Sequence, residues 1–347
     1  MKMGKKRIIV IFLLGLLLVG YSFSILKAKK NPKYVWKWAS LAQDTVEAIT
    51  IITVDLTQSI LKATDGDVKC VWYMGGIMGD EEDYVTKMRI GQLHGAMITG
   101  TANASVCPGI CVMELPFLFE NVDEARYVQN KLRPKICKIA EKNGFKVLML
   151  LTLDEHFYSV KYPMRNPQDF QKSKILTWHG PLEVEVLKAL GASPIPVNVP
   201  EVVPSMRAGV VDGAISPSGW WLAAQLYTIT KYINPLTIRY DQGVFLIVNK
   251  EWNKLPLNQR KNLEKMWRRY EKTFVIQMDK IMMDAYKGMV GYGCTEVKMT
   301  PKEIEVFRKR TRPVWDKMAG KEYPRELLNE VLSHLKQYRG KKGGSKG

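Results

Sequence analysis

The chain has 347 residues, more than one minimal core needs, and its length suggests two domains. Hydrophobic residues make up 46% and charged residues 25%, which excludes a disordered chain. The formal net charge is +18, but the basic residues are interspersed with acidic ones and no zinc-finger or RNA-binding signature accompanies them, so nucleic acid is not the expected partner; contact with an anionic membrane surface suits a basic exported protein better.

Residues 1–30 read as a targeting segment. Lys2, Lys5, Lys6 and Arg7 precede an uncharged apolar run from Ile8 to Leu26, and Ser22-Phe23-Ser24 offers a small-x-small cleavage site. The segment is either a cleaved signal peptide or a retained inner-membrane anchor, and both place the body in the periplasm. After Asn31-Pro32, Tyr34–Ala39 alternates like a half-buried strand, with Trp36 and Trp38 at its end. Helical spacing runs from Asp44 to Ala63 and stops at Asp65-Gly66-Asp67; Val68–Tyr73 is a second strand. Asp80 caps a short helix with Tyr84, Val85 and Met88 on one face, and its acidic first turn, Asp80–Asp83, suits the helix dipole better than a metal. Residues 96–99 form a third strand, and this alternation predicts βαβ units with a largely parallel sheet.

A long helix is expected from Asp123 to Asn143, then a buried strand over Lys146–Leu151. The pattern restarts at Phe157, with short strands at Ile175–Thr177, Ser193–Val197 and Gly213–Ser216 and helices between them, so a second lobe begins there. Gly243–Asn249, which contains Phe245, is another buried strand. A helix of roughly 30 residues, ~45 Å long, then runs from near Pro256 to about Lys287, too long for one small domain and therefore a brace across both. Further helices start at Pro301 and Pro324. The division is 33–153 plus 242–275 for lobe I and 154–241 plus 276–338 for lobe II. Residues 339–347 read as a basic disordered tail.

Catalytic chemistry is not legible. His94, His156, His179 and His334 form no metal-ligand pair, and the chain has no nucleophile elbow, phosphate-binding glycine loop or dinucleotide fingerprint. No cofactor is expected. Of five cysteines, Cys107 and Cys111 flank the turn dipeptide Pro108-Gly109 and are a possible disulfide; Cys70, Cys137 and Cys294 read as small core residues.

Several strings, in order from Tyr34 to Met318, resemble the solute receptors of TRAP-type transporters. Gly79-Asp80-Glu81-Glu82-Asp83-Tyr84 with Met88–Ala96 is similar to their "G-x-E-x-E… lr-x-G-x-l-d-g-a" segment. Glu114–Phe119 followed by Asp123-Glu124-Ala125 resembles "lPflF…dea", Asn143-Gly144-Phe145 resembles "kkGf", and Met164–Phe170 resembles "v-x-t-p-e-D-l". Leu190–Pro194, Pro200-Glu201-Val202 and Gly209–Gly213 resemble "lGa-x-p… x-E-v… G-x-v-D-G", and Trp252–Pro256 matches the entry to the family's long helix.

The resemblance implies an α/β, two-lobed periplasmic-binding-protein-like fold with a long brace helix, a ligand buried between lobes, and delivery of it to membrane transporter subunits. It also implies two departures. The family's carboxylate-binding Arg position is occupied by Leu176, and its ligand-holding Asn position falls in Ala214-Ile215-Ser216-Pro217. Leucine cannot form a bidentate pair with a carboxylate. The expected ligand is therefore apolar or weakly polar, held by Trp38, Phe157, Tyr158, Leu176, Trp178, Ser216, Trp220 and Phe245. Two alternatives stand beside it: a carboxylate receptor using another cation, Arg207, Arg239 or Lys161, and a periplasmic adaptor or sensor of an efflux system.

Overall fold

The structure is a computed structural model that describes residues 31–43, 51–178 and 180–343. The N-terminal targeting segment, the first part of the helix expected from Asp44, His179 and residues 344–347 lie outside the described residues.

Two sheets organise the chain. The first has the order β2-β1-β3-β10-β4, built from β1 (Tyr34–Ala39), β2 (Val68–Tyr73), β3 (Gly95–Ile98), β4 (Phe145–Asp154) and β10 (Tyr240–Val248). β1 runs parallel to β2 and β3, while β10 is antiparallel to both β3 and β4. The second has the order β11-β9-β5-β8-β6-β7. It is built from β5 (His156–Ser159), β6 (Lys174–Thr177), β7 (Ser193–Pro196), β8 (Gly213–Ser216), β9 (Tyr232–Asn234) and β11 (Thr295–Glu296). Here β6 runs parallel to β7 and β8, and β5 is antiparallel to β8 and β9.

Both sheets are thus mixed rather than largely parallel. The reason lies in the two connections between lobes. β4 passes through Glu155 directly into β5, and β9 returns through residues 235–239 into β10. A strand that crosses over and comes back must run against its neighbours, and Tyr240 pairs with Asp154 at the crossing.

Every strand with both faces covered puts alternate residues into different cores. In β5, Phe157 packs edge-to-face on Phe170 at 5.1 Å, while its neighbour Tyr158 stacks on Trp221 at 4.6 Å on the other face. In β6, Ile175 joins the first of these cores and Leu176 the second. The helices follow their caps. α1 (Thr57–Ala63) continues a π-helical stretch, Ile51–Leu56. α2 (Glu81–Arg89) begins at the expected Asp80, whose carboxylate and that of Asp83 form a capping box. α3 (Gly100–Val106) follows β3 and α4 (Val122–Lys142) is capped by Asn121. The second lobe carries α5 (Pro167–Gln171), α6 (Pro181–Leu190), α7 (Val202–Arg207) and α8 (Ser218–Ala223).

After the short α9 (Asn249–Asn253), α10 runs 36 residues from Leu257 to Tyr292, ~54 Å at 1.5 Å per residue. Its buried positions, Leu263, Trp267, Phe274, Met278, Met282 and Met289, recur at helical spacing. The first five pack under the first sheet with Trp36, Trp38 and Phe245; Met289 packs under the second with Tyr158 and Leu176. The helix therefore braces both lobes, as its length predicted.

α11 (Pro301–Met318) packs on the second lobe against α6, and α12 (Arg325–Gly343) returns to α4 of the first. That return corrects the division at residues 276–338. It also corrects the tail: the chain from 339 is helical to Gly343, because Arg339 forks onto Glu124 of α4 with hydrogen bonds of 2.8 and 2.7 Å. Among the described residues no helix is long and apolar enough to cross a membrane.

Trp267 touches the rings of Trp38 and Phe245 at centroid distances of 5.9 and 6.0 Å and is fully buried. Trp267→Ala is expected to destabilise the protein by about 3–5 kcal/mol through the cavity it leaves. Denaturant unfolding measures this, and a loss below about 1 kcal/mol would refute the brace as the keystone of the first core.

Candidate functional site

A cavity of about 410 Å³ lies where the lobes meet, within the ~300–1,000 Å³ of small-molecule sites. Its walls are the ends of parallel strands, where α/β proteins place their ligands. From the first lobe come the loop after β1 with Ser40 and Gln43, the first turn of α2, Met97 of β3 and Thr99 just after it. The second lobe contributes Thr177 and Trp178 at the end of β6, Asn198 and Val199 after β7, Ser216 and Pro217 at the end of β8, and Trp220 of α8. The crossing segments supply Glu155 and Asp241, and α10 closes one side with Phe274, Met278 and Met282.

Three of the eight expected ligand residues line this space: Trp178, Ser216 and Trp220. Trp178 and Trp220 meet edge-to-face, centroids 5.3 Å apart. The other five are core. Trp38 is stacked on Trp72 at 5.1 Å, Phe245 lies between Trp267 and Phe274, Phe157 lies on Phe170, Tyr158 lies on Trp221 with its hydroxyl 2.7 Å from Ser218 Oγ, and Leu176 is enclosed beside them. Each is a strand residue whose alternation points it into a sheet face rather than off the strand end. The tandem Trp220-Trp221 divides likewise: Trp221 donates to Thr230 Oγ1 at 2.8 Å in the core, while Trp220, one residue earlier, faces the cavity.

Leu176 is therefore enclosed and does not line the cavity, and the charge chemistry sits elsewhere. Arg239 is buried at the lobe junction. Its Nε donates to Glu155 Oε2 at 2.5 Å and its Nη2 to Glu183 Oε1 at 2.6 Å. Burial pulls its pKa down, but Glu155 and Glu183 more than reverse that and hold the guanidinium charged. Glu183 also accepts from Thr177 Oγ1 at 2.6 Å and from the backbone N–H of Trp178 at 2.9 Å, which fixes the turn carrying that tryptophan. Sequence reasoning weighed Arg239 as a ligand cation; its two glutamates, far apart in the chain, gave no signal of their own. Arg207 and Lys161 do not line the cavity, and Lys161 pairs with Asp212 at 2.6 Å. No lysine or arginine stands among the described lining residues.

The mouth is closed by a contact between lobes. Asp80 Oδ2 accepts the backbone N–H of Val199 at 2.9 Å while its other oxygen caps α2. Gly180 approaches Thr101 so closely that a Cβ would stand 2.8 Å from the Thr101 methyl, and its φ of +79° favours glycine. The cysteine pair is corrected: all five cysteines are free. Cys107 Sγ faces the Ile136 carbonyl at 3.8 Å and Cys111 Sγ the Glu322 carbonyl at 3.5 Å, so the turn sends them to different neighbours. Desolvation pushes Cys107 up to about 12 and raises Cys111, keeping both as neutral thiols.

With two lobes, a brace helix and a cavity at strand ends between them, the chain has the architecture of an extracytoplasmic binding protein. It belongs to the family described as bacterial extracellular solute-binding protein, family 7, whose model matches residues 42–322. These are receptors and not enzymes. The chain is 26% identical over 166 residues to the ectoine-binding periplasmic protein TeaA of Halomonas elongata, covering 46% of this chain and 48% of that one. It is 24% identical over 184 residues to a solute-binding protein of Chromohalobacter salexigens, covering 51% and 55%. The chain thus spans about half the length of the curated relatives it matches. Among solved structures, the fold is similar to the sugar-acid-binding protein of Advenella mimigardefordensis in complex with galactonate, with a TM-score of 0.83, 18% identity, and 89% of this chain and 99% of that one covered. It is also similar to a TRAP periplasmic solute-binding protein of Ralstonia eutropha with bound (S)-2-acetolactate, with a TM-score of 0.80, 21% identity, and 87% and 99% covered.

Two outcomes test the junction. Arg239→Met leaves Glu155 and Glu183 buried without their cation, and is expected to destabilise the fold by about 3–5 kcal/mol. Denaturant unfolding of the single variant and of the triple variant with both glutamates changed to Gln reads this, and the triple variant should regain most of the loss. His156, 12% exposed at the crossing, faces Asp154 at 3.5 Å and the ring of Tyr286 at 5.7 Å. Burial lowers its pKa, against the pull of Asp154 and Glu155. The unfolded chain then binds its proton at higher pH, so stability is full above about pH 6.5 and falls as pH drops towards the folded-state value. His156→Gln should unfold with a shallower loss between pH 7.5 and 5.5; an unchanged slope would remove His156 from the account.

Proposed function

We propose that this protein is an extracytoplasmic receptor that closes on a small solute with an apolar body and delivers it to the membrane subunits of a TRAP-type transporter. The observation that carries the reading is the composition of the cavity wall. Trp178, Trp220, Phe274, Met97, Met278 and Met282 supply aromatic and thioether surface, and no lysine or arginine joins them among the described lining residues. Such walls suit apolar matter, and the unbranched methionines adapt to its shape. Galactonate and acetolactate, in the structures of similar fold, are carboxylates. A carboxylate in this cavity would lie beside Glu155 and Asp241, while Arg239 is already engaged by Glu155 and Glu183. Burying that charge without a partner costs several kcal/mol.

The contact between Asp80 and Val199 supports closure as the receptor's signal, since it joins the lobes across the mouth. An exported protein of this kind works in the periplasm, and its basic surface suits the neighbourhood of anionic head groups.

Binding of a solute to the native state raises thermal stability without turnover. Native mass spectrometry of protein from its own host identifies what co-purifies, and thermal unfolding with that compound should show a shift. Trp220→Ala should lower the affinity at least tenfold and abolish most ligand-dependent change in tryptophan fluorescence. Chemical conversion of the bound compound, lost on a single side-chain change, would overturn the receptor reading.

A further inference from the structure

We infer that the outer face of α10 is a docking surface for an anionic phospholipid bilayer, and that it lays the receptor against the membrane that holds the transporter subunits. This rests on the periplasmic location in the receptor reading, not on the identity of the solute.

The helix has two sides. Leu263, Trp267, Phe274, Met278 and Met282 face the core and the cavity. On the opposite side, at helical steps of three and four, stand Lys261, Lys265, Arg268, Arg269 and Lys272, all exposed. Ile276 and Met283 continue the same stripe and are 71% and 56% exposed. The acidic residues of the helix are neutralised elsewhere. Glu264 pairs with Lys146 at 2.8 Å, Glu271 with Arg133, Asp279 with Arg126 at 2.7 Å, and Asp284 with Lys280 at 3.0 Å. Lys146, Arg133 and Arg126 come from β4 and α4, so these pairs leave the basic stripe untouched. Among the described residues, none of its five cations has an ion partner.

Five like charges within about 17 Å of helix repel one another, and an extended anionic surface relieves that. A bilayer presents such a surface, flat along the length of a helix of 36 residues. It also accepts apolar side chains beside the cations, which gives Ile276 and Met283 a place at the headgroup boundary. A second copy does not fit: a two-fold pairing of this face would set cation against cation. The path of the chain agrees. It enters the described body at the basic end of the helix, where the Tyr34 hydroxyl donates to the Lys254 carbonyl at 3.2 Å, just before α10 begins at Leu257. A retained N-terminal anchor would join the body at that end.

Flotation with vesicles tests the surface on protein isolated from its own host. Binding to phosphatidylcholine vesicles that contain phosphatidylglycerol is expected to exceed binding to phosphatidylcholine alone by at least tenfold, and to weaken as salt rises. Lys265→Glu, Arg269→Glu and Lys272→Glu together should remove at least tenfold of the affinity for the anionic vesicles. Lys302→Glu, Lys309→Glu and Arg310→Glu, exposed on α11, change the net charge equally and should leave that affinity within about threefold. Ile276→Ser with Met283→Ser should weaken it about threefold or more. All these positions are exposed, so the denaturant midpoint should hold in each variant, as should the thermal shift given by the co-purifying solute. No preference for anionic vesicles, or equal losses in the α10 and α11 variants, overturns the inference and leaves the receptor reading standing. A dimer in analytical ultracentrifugation that the α10 variant abolishes would give the face to a second copy and overturn it as well.

Discussion

The structure turns on one buried guanidinium. Arg239 lies on the segment that carries the chain back from the second lobe, Glu155 on the segment that carries it out, and Glu183 in the first turn of α6. A lone charge there would be untenable, and two carboxylates hold it. The consequences spread from that pairing. The two crossing segments are tied to each other where the chain passes between the lobes. Glu183, held by the arginine, in turn holds Thr177 and Trp178, so the tryptophan's position is set by an ion pair on the far side of its own turn. Glu155 is at once part of this junction and part of the cavity wall. Buried charge is weak evidence for stability, since an apolar substitute often serves as well. Its value here is geometric: it fixes Glu155, Glu183 and the turn of Trp178 relative to one another.

The brace helix works with this junction. α10 passes its Leu263–Phe274 stretch under the first sheet and its Met289 end under the second, and the intervening Met278 and Met282 line the cavity. The sulfur of Met282 lies 3.1 Å from the Gly219 amide, where a Cβ on Gly219 would stand 2.9 Å from the Met282 methyl. α8, with Trp220, therefore rides on the helix. A ligand that presses on Trp220 or Met282 acts on an element that packs under both sheets. Methionine is suited to that position because its three rotatable bonds let the contact adjust as the lobes move.

The fold was legible in the sequence where periodicity meets length. A 36-residue helix with buried residues spaced three, four and seven apart has no place in one small lobe, and the restart at Phe157 marks where the second sheet begins. The strand directions were not legible, because antiparallel pairing arises from two crossings separated by some 80 residues, and no local pattern encodes it. The site was partly legible. Trp178 and Trp220 sit just after strand ends, outside the alternation, and face the cavity; Phe157, Tyr158, Leu176, Trp38 and Phe245 sit within strands. With both sheet faces covered, an aromatic residue in a strand looks the same whether it lines a wall or fills a core. The carboxylates were overlooked for a different reason. Glu155 and Asp241 stand at the ends of apolar strands, where a charged residue reads as the edge of an element, and only the crossing of β4 and β10 turns both inward.

The comparison with proteins of similar fold sharpens the meaning of that charge. Architecture is shared at TM-scores near 0.8 while identity is near 20%, so the scaffold is kept and the lining is free to change. A receptor that must hold an anion needs a donor fork pointed at the ligand. Here a guanidinium is buried at the lobe junction and is pointed at the protein's own glutamates. For the same arginine to serve a carboxylate ligand, one glutamate would have to give up its hydrogen bond to the guanidinium. Binding an anion through Arg239 would therefore break a contact of the junction between the lobes. A ligand that makes no demand on Arg239 leaves the triad intact, and with it the turn of Trp178 that Glu183 holds, and rests on a surface already shaped for apolar matter.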